Sequence, residues 1–150
     1  MMMLALAKNP TVGSFGNNAG FWFRDHGKDY EKSLKYYLLS VKAEPDDQNF
    51  GNDTGLVYLY HLEDRKDRCL PLFEKVLCLV EKDGQEPMRG YWDALENLRK
   101  YSFEKGDFAK TVVLADKRAS PNAVVDGRPY PSMKAAQFRA AALKELEKKK

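Results

Sequence analysis

The sequence predicts an all-α fold of stacked helical hairpins, and three observations support this prediction. A nine-residue segment recurs after 35 residues. Apolar residues follow the i, i+3, i+4, i+7 spacing of one helix face in several segments. No segment alternates apolar and polar residues with the period of 2 that indicates a strand. A period of about 20 to 50 residues is typical of chains whose units bury their apolar faces against one another.

The recurring segment is FGNNAGFWF at residues 15–23 and FGNDTGLVY at residues 50–58, with four of the nine positions identical. The same offset pairs His26 with His61. Chance is a poor explanation for a register that holds across both the segment and its flanks. The sequence therefore contains at least two copies of one structural unit.

The first predicted hairpin spans residues 11–46, with a first helix near residues 14–25. Asp29 can cap the second helix by accepting a hydrogen bond from its first turn. Pro45 ends that helix because proline cannot continue it. The apolar residues of the second helix share one face: Leu34, Tyr37, Leu38 and Val41.

The second predicted hairpin spans residues 47–84, with a first helix near residues 49–62. Its second helix ends at Asp83-Gly84. The apolar face of this helix repeats the spacing of the first unit: Phe73, Val76, Leu77 and Val80.

A third, degenerate hairpin is predicted over residues 88–120, with a first helix near residues 89–103. Lys105-Gly106-Asp107 joins its two helices. The apolar faces of the two helices contain Tyr91, Ala94, Leu95, Leu98 and Tyr101, and then Phe108, Val112 and Ala115.

Residues 121–131 are predicted as a loop because this stretch contains one glycine and three prolines. Residues 132–150 are predicted as a capping helix that begins at Ser132. Its packing face is predicted to contain Met133, Ala136, Ala140 and Leu143. Such a helix covers the apolar edge that the last unit of a solenoid would expose.

These units resemble the tetratricopeptide repeat, a helix-turn-helix unit of about 34 residues. The family pattern has a small residue and then an aromatic on the first helix, a Gly-Asp-aromatic turn, a small residue and an aromatic on the second helix, and a closing proline. In the first unit these roles fall to Gly20, Phe23, Lys28-Asp29-Tyr30, Ser33, Tyr37 and Pro45. In the second unit they fall to Gly55, Tyr58, Cys69 and Phe73.

The resemblance covers roughly residues 10–120 and has departures. Gly16 and Gly51 stand where the family usually has a bulky apolar residue, and Leu98 replaces the small residue of the third unit. The resemblance implies a right-handed α-α superhelix of about three hairpins plus the capping helix. Residues 1–10 match the tail of a preceding repeat, which indicates a fragment of a longer array.

Charge, hydropathy and cysteine positions argue against several classes of protein. The net charge is +3, and the last three lysines account for this excess. The nearly neutral body argues against the basic surface that nucleic-acid binders usually show. No apolar run approaches the roughly 20 residues that span a bilayer. Met1–Ala7 is short and follows no basic residue, unlike a signal peptide. Cys69 and Cys78 lie on opposite faces of one predicted helix, and unpaired thiols favour a cytoplasmic location.

His26 and His61 occupy matching positions, which raises the question of a metal site. Neighbouring packed helices lie about 8 to 10 Å apart, whereas a metal needs each ring nitrogen at about 2 Å. No third ligand has suitable spacing, and no serine or cysteine nucleophile is visibly paired with an imidazole. We interpret both histidines as helix-end residues and predict no metal, no cofactor and no catalytic residue.

In arrays of this family the first helices line a concave groove, and some members carry there a ladder of asparagines that binds a peptide backbone. Asn18 and Asp53 fall at the ladder position, next to Asn17 and Asn52. An amide both donates and accepts hydrogen bonds, which suits an extended chain. The alternative interpretation is that these side chains cap the starts of their helices.

The groove is predicted to contain further binding residues: Phe21, Arg24, Tyr60 and Arg99. Phe21 and Tyr60 are the aromatics that helix packing leaves over. The carboxylate clamp of chaperone-binding members is not predicted, because Phe21 follows the clamp glycine and no lysine stands four residues before a clamp asparagine. Basic residues in the third unit still favour an acidic segment.

The sequence therefore predicts a module that binds a peptide or protein in the groove of a helical array. The alternative is a structural segment of a larger protein that associates with itself and forms a homo-oligomer. No nucleic-acid or membrane partner is predicted.

Overall fold

The computed structural model describes residues 11–150. These residues form seven α-helices: α1 (Val12–Asp25), α2 (Tyr30–Ala43), α3 (Gln48–His61), α4 (Cys69–Glu81), α5 (Arg89–Glu104), α6 (Phe108–Arg118) and α7 (Ala135–Glu147). A 3-10 helix at Glu63–Arg68 precedes α4. The predicted all-α class is confirmed. The predicted repeat tail at residues 1–10, which includes Met1–Ala7, lies outside the described residues.

The helices pack in the order of the chain. Helices α1 and α2 pair, as do α3 and α4, and α5 and α6. Helix α2 then packs on α3, α4 on α5, and α6 on α7. The first helices of the hairpins also contact one another, α1 with α3 and α3 with α5. We call these three helices, α1, α3 and α5, the first-helix layer.

Short polar side chains fix the starts of four helices. Each accepts a hydrogen bond from a backbone N–H of the first turn, which typically stabilises a helix by about 1 kcal/mol. These residues are Thr11, Asp29, Asp47 and Asp107. The predicted cap at Asp29 is confirmed, with its carboxylate 3.0 Å from the Lys32 nitrogen. Pro45 also follows the end of α2 as predicted.

Glycines on the first helices allow the second helices to approach closely. A Cβ atom at Gly20 would lie 2.6 Å from the ring of Tyr37, and one at Gly55 would lie 2.6 Å from the ring of Phe73. Ser33, the small residue on α2, donates a hydrogen bond to the Gly20 carbonyl at 2.7 Å. The predicted packing of aromatics against small residues is confirmed for both hairpins.

Two further glycines explain a departure from the repeat pattern. A Cβ atom at Gly16 would lie 2.6 Å from the carbonyl oxygen of Tyr36, and one at Gly51 would lie 2.7 Å from a methyl group of Val76. A bulky residue at either position would separate the two helices of its hairpin. These glycines therefore extend the close approach by one further turn of helix.

The core runs along the contacts between hairpins. The predicted apolar face of α5 is buried at all five positions: Tyr91, Ala94, Leu95, Leu98 and Tyr101. One prediction for α2 is wrong, because Leu38 is 41% exposed. The packed stripe of α2 instead uses Ser33 and Ser40 beside Leu34 and Tyr37, and a search for apolar spacing passes over buried serines.

The face predicted for the terminal helix is also wrong. Met133 is 91% exposed and precedes α7, whereas Ala135 and Ala142 are buried. Small alanines let α7 approach α6, and an alanine-rich helix has no single apolar stripe to mark that face. Ser132 still binds the start of the helix, since its Oγ accepts a hydrogen bond from the Ala135 nitrogen at 3.0 Å.

The predicted loop at residues 121–131 contains a short antiparallel hairpin, which the sequence analysis missed. Strands β1 (Val124–Val125) and β2 (Arg128–Pro129) are joined by Asp126 and Gly127, both with positive φ. An Asp-Gly pair with this backbone is typical of a tight hairpin turn. Strands of two residues are too short to show alternation, so only that dipeptide could have indicated them.

The two cysteines are free. Cys69 is buried at the first position of α4, and burial raises the pKa of its thiol to about 12. Within residues 11–150, none of the helices has the length and apolarity required to span a membrane.

Gly90 tests the closest contact between α3 and α5. A Cβ atom there would lie 2.6 Å from the backbone nitrogen of Asn49, and backbone cannot move aside as a side chain can. We expect Gly90→Ala to lower the free energy of unfolding by about 2 to 3 kcal/mol, the upper part of the range for overpacking, in urea denaturation. Gly27→Ala is the control, since its nearest neighbour lies at 3.2 Å. Equal stability of the two variants would contradict this account.

Candidate functional site

The predicted site residues all belong to the first-helix layer. Helix α1 carries Asn17, Asn18, Phe21 and Arg24, helix α3 carries Asn52, Asp53 and Tyr60, and helix α5 carries Arg99. Contacts between these three helices place the residues on one layer. Their individual exposure and hydrogen bonds decide which of them a ligand could reach.

Asn17 and Asp53 join α1 to α3. The Asn17 Nδ2 donates to Asp53 Oδ2 at 3.0 Å. Burial raises the pKa of Asp53, while the hydrogen bond from Asn17 and the charge of Arg24 act in the opposite direction. Asp93 on α5 contributes to the rise through its like charge. The Asp53 carboxyl group is thus a largely buried acceptor between helices.

Asn52 and Asn97 join α3 to α5. The Asn97 Nδ2 donates to Asn52 Oδ1 at 2.9 Å, and both side chains are buried. The Tyr60 hydroxyl donates to Asn97 Oδ1 at 3.4 Å. Asn52 was expected to be exposed in the groove, but its side chain is buried and accepts a hydrogen bond between two helices.

Residues other than the asparagines cap the starts of α1 and α3. Thr11 and Asp47 cap α1 and α3, so the proposed capping role of the asparagines is wrong. Asn18 is half-buried, and its side chain makes no hydrogen bond among residues 11–150. Of the two residues predicted at the ladder position, Asp53 accepts a hydrogen bond from Asn17, whereas the Asn18 amide has no partner within that range.

Phe21 and Tyr60 are exposed as predicted, at 47% and 46%. Trp22 is exposed as well. Tyr37 and Tyr58 are buried, in keeping with a packing role. A half-exposed aromatic ring offers a partner a large contact area, and its rigid side chain loses little conformational entropy on binding.

Arg24 lies beside the exposed ring of Phe21. Its guanidinium carbon is 5.3 Å from the Phe21 ring centre and 5.9 Å from that of Tyr37. The Nε atom donates to Asp25 at 2.8 Å. The Nη1 atom is buried and finds no acceptor within the described part of the chain. Arg24 therefore retains a hydrogen-bond donor at the first-helix layer.

Arg99 is not the open groove residue that the sequence predicts, since its side chain is only 3% exposed. Its Nε and Nη2 atoms donate to Glu96 Oε1 at 3.0 and 2.7 Å. The Phe138 ring of α7 covers its guanidinium, with 3.9 Å between the guanidinium carbon and the ring centre. Like Arg24, Arg99 has a buried Nη1 without an acceptor among the described residues.

Both histidines lie at helix ends, as predicted. His61 is the last residue of α3, and its ring stacks on Tyr30 with ring centres 4.1 Å apart. Burial and nearby positive charges lower the pKa of His61. His26 follows the last residue of α1. Among residues 11–150, no three His, Cys, Asp or Glu side chains are grouped as metal ligands would be.

Sequence reasoning missed Asn97, Lys100 and Phe138. Asn97 stands 45 residues after its partner Asn52, so the 35-residue period does not connect them. The longer segment before α5 causes this change of register. Lys100 lies 5.1 Å from the Tyr60 ring centre, a contact that the charge of a lysine in the sequence does not indicate. Phe138 does not belong to the face of α7 that the sequence predicts to pack, so its contact with Arg99 was not expected.

The site combines two kinds of groups that suit non-covalent binding. Phe21 and Tyr60 offer ring surfaces, and Arg24 and Arg99 carry donors without acceptors in the described range. Both kinds fit a ligand with apolar groups and oxygen acceptors.

Comparison with protein-family models gives no match for the chain. Comparison with curated proteins gives none either.

Asn97→Ala tests the buried contact between α3 and α5. The variant leaves Asn52 Oδ1 buried without its donor, and an unpaired buried polar group costs about 1 to 3 kcal/mol. We expect a loss of that size in urea denaturation. Asn18→Ala serves as the control and should change stability by less than about 0.5 kcal/mol. A small effect of Asn97→Ala would show that water replaces the lost amide.

Asp53→Asn tests the buried carboxyl group. Because burial raises the pKa of Asp53 in the folded state, folding favours its neutral form, and stability falls as pH rises through that pKa. An asparagine stays neutral and can still accept from Asn17. We expect the variant to melt at a higher temperature than the wild type at pH 7, with the difference shrinking as pH falls. A less stable variant at pH 7 would show that the charge of Arg24 outweighs burial.

Proposed function

We propose that the chain binds a peptide or protein segment along the first-helix layer, as the groove of a tetratricopeptide-like array would. The observation that carries the proposal is the pairing of an exposed aromatic ring with an arginine whose buried Nη1 has no acceptor among residues 11–150. Phe21 stands beside Arg24 on α1, and Tyr60 stands near Arg99 where α3 meets α5. Aromatic residues and arginines are the side chains that most often dominate binding at protein interfaces.

The polar contacts between helices support this function indirectly. Asn17 bonds to Asp53, and Asn97 bonds to Asn52. These bonds fix the relative positions of α1, α3 and α5, and with them the positions of Phe21 and Tyr60. A preorganised surface loses less conformational entropy when a ligand binds.

The chemistry of the layer favours a polypeptide ligand. Peptide carbonyls and carboxylates supply acceptors for the free donors of Arg24 and Arg99, and apolar side chains supply partners for the exposed rings. We propose a non-enzymatic role that requires no cofactor, with no nucleic-acid or membrane partner. The free cysteines fit a reducing compartment such as the cytoplasm.

Self-association is a second candidate function, and a separate observation favours it. The first hairpin exposes several large apolar side chains, namely Val12, Phe21, Trp22, Leu38 and Leu39. Contact surfaces between proteins commonly contain exposed apolar side chains. A second copy of the chain is the partner in this case.

A displayed library of random 12-residue peptides, selected against the protein, provides ligands for the test. We expect Arg24→Gln combined with Tyr60→Ala to weaken binding of selected peptides at least tenfold in fluorescence anisotropy, because the change removes one donor and one ring. Circular dichroism checks that helicity is unchanged.

The matched control is Lys35→Gln combined with Leu38→Ala, which removes one cation and one apolar side chain from the exposed part of α2. This variant should bind within twofold of the wild type. Equal weakening by both double variants would contradict the proposed site. A molar mass in light scattering that doubles with concentration, and fails to double in the Leu38 variant, would support self-association instead.

A further inference from the structure

A cleft of about 370 Å³ lies where α3, α5 and α7 meet. Its volume falls within the range of about 300 to 1,000 Å³ that is typical of small-ligand pockets. Three aromatic and three basic side chains contribute to its lining: Tyr60, Phe103, Phe138, Arg99, Lys100 and Lys134. The cleft joins the first-helix layer to the terminal helix.

The aromatic part of the cleft has a defined geometry. Phe103 and Phe138 meet edge to face, with ring centres 5.6 Å apart. Tyr60 presents its exposed ring on α3, with the Lys100 ammonium 5.1 Å from the ring centre. Three rings from three helices therefore surround a space in which a further ring could make edge-to-face contacts.

The acidic groups of the cleft already have partners. Glu96 accepts from Arg99 with one oxygen and from the Ser132 hydroxyl with the other, at 3.0 Å. Glu104 pairs with Lys66 and Lys100. The carboxylates thus have little capacity left to bind a cation.

Two basic side chains of the cleft each have a hydrogen-bond donor that lacks a partner within residues 11–150. The buried Nη1 of Arg99 has no acceptor within residues 11–150, although Arg99 lines the cleft. Lys134 is exposed and forms no ion pair within that range. Two cations with unused capacity at one cleft favour an anionic group on the ligand.

We propose that this cleft binds an aromatic side chain that stands next to a carboxylate, and that α7 completes the pocket by supplying Phe138, with Lys134 just before its first residue. The inference rests on the proposed peptide-binding function and specifies its ligand. The ring lies among Tyr60, Phe103 and Phe138. The carboxylate pairs with Lys134 at the mouth and approaches Arg99 when the covering Phe138 ring tilts.

A carboxylate fits this charge distribution better than a phosphate does. Glu96 and Glu104 line the same cleft, and like charges this close would repel a dianion more strongly than a monoanion. A single carboxylate supplies acceptors for both Lys134 and the Nη1 of Arg99.

Small probes test the inference by NMR titration of the ¹⁵N-labelled protein. We expect N-acetylphenylalanine, which carries a ring and a carboxylate, to bind with a Kd in the millimolar range and to shift the signals of Phe138 and the Arg99 side chain. N-acetylphenylalanine amide and N-acetylglycine should bind at least fivefold more weakly, because each lacks one of the two groups. Equal binding of the amide would overturn the proposal.

The source of the carboxylate is tested with two capped dipeptides. Phenylalanyl-glutamate with an amidated end offers a side-chain carboxylate, and phenylalanyl-glutamine with an amidated end offers none. Tighter binding of the former than of N-acetylphenylalanine assigns the site to an acidic side chain. Tighter binding of N-acetylphenylalanine assigns the site to the carboxylate of a chain end. In both cases the ligand provides a carboxylate next to the aromatic ring.

Variants separate binding from folding. Lys134→Gln should weaken the binding of N-acetylphenylalanine at least threefold and leave the binding of N-acetylphenylalanine amide unchanged. A structural defect would weaken the binding of both probes. Arg139→Gln is the control on α7, since its partner is Asp116 outside the cleft. Weakening of both probes by Lys134→Gln, or equal weakening by Arg139→Gln, would overturn the proposal.

The two proposals can fail separately. Selected 12-residue peptides that depend on Arg24 and Tyr60 but not on Lys134 would overturn this inference and leave the proposed function standing. Binding of N-acetylphenylalanine at Phe138 without any selected peptide would support this pocket and count against the wider groove.

Discussion

The close approach of helix backbones at glycines is the constraint on which the rest of the structure depends. Gly20 and Gly55 leave room for the rings of Tyr37 and Phe73, and Gly90 brings the start of α5 against the backbone of α3. Because each contact fills the space that a Cβ atom would need, the helices can pack in few other ways. The spacing between α3 and α5, and the spacing of the two helices within the first two hairpins, follow from these contacts.

That spacing determines how the polar residues of the layer are used. Asn17 reaches Asp53, and Asn97 reaches Asn52, so amides that could have bound a ligand stabilise the contacts between helices instead. Buried polar groups are tolerated when their partners are present. The proposed site therefore consists chiefly of the exposed rings and of two arginines whose buried Nη1 atoms have no acceptor among residues 11–150.

The terminal helix has more than a covering role. Its alanines pack closely on α6, and this position brings Phe138 over Arg99. The guanidinium is shielded from water by that ring and is held by Glu96. The Nη1 atom of this guanidinium is buried and has no acceptor among residues 11–150. In the proposed pocket, ligand binding therefore depends on α7.

The sequence by itself determined the hairpins. The recurring glycines, the aromatics opposite them and the cap at Asp29 are local features, and each acts on helix formation or packing within one hairpin. It also indicated that Phe21 and Tyr60 would remain exposed. Only the tertiary structure decided the partner of Asn52, the burial of Arg99 and the packed face of α7. These depend on contacts between residues far apart in the chain, and the 45-residue separation of Asn52 and Asn97 shows why a fixed period could not supply them. Helix crossings and linker lengths set those contacts, and neither is encoded in the residues that meet.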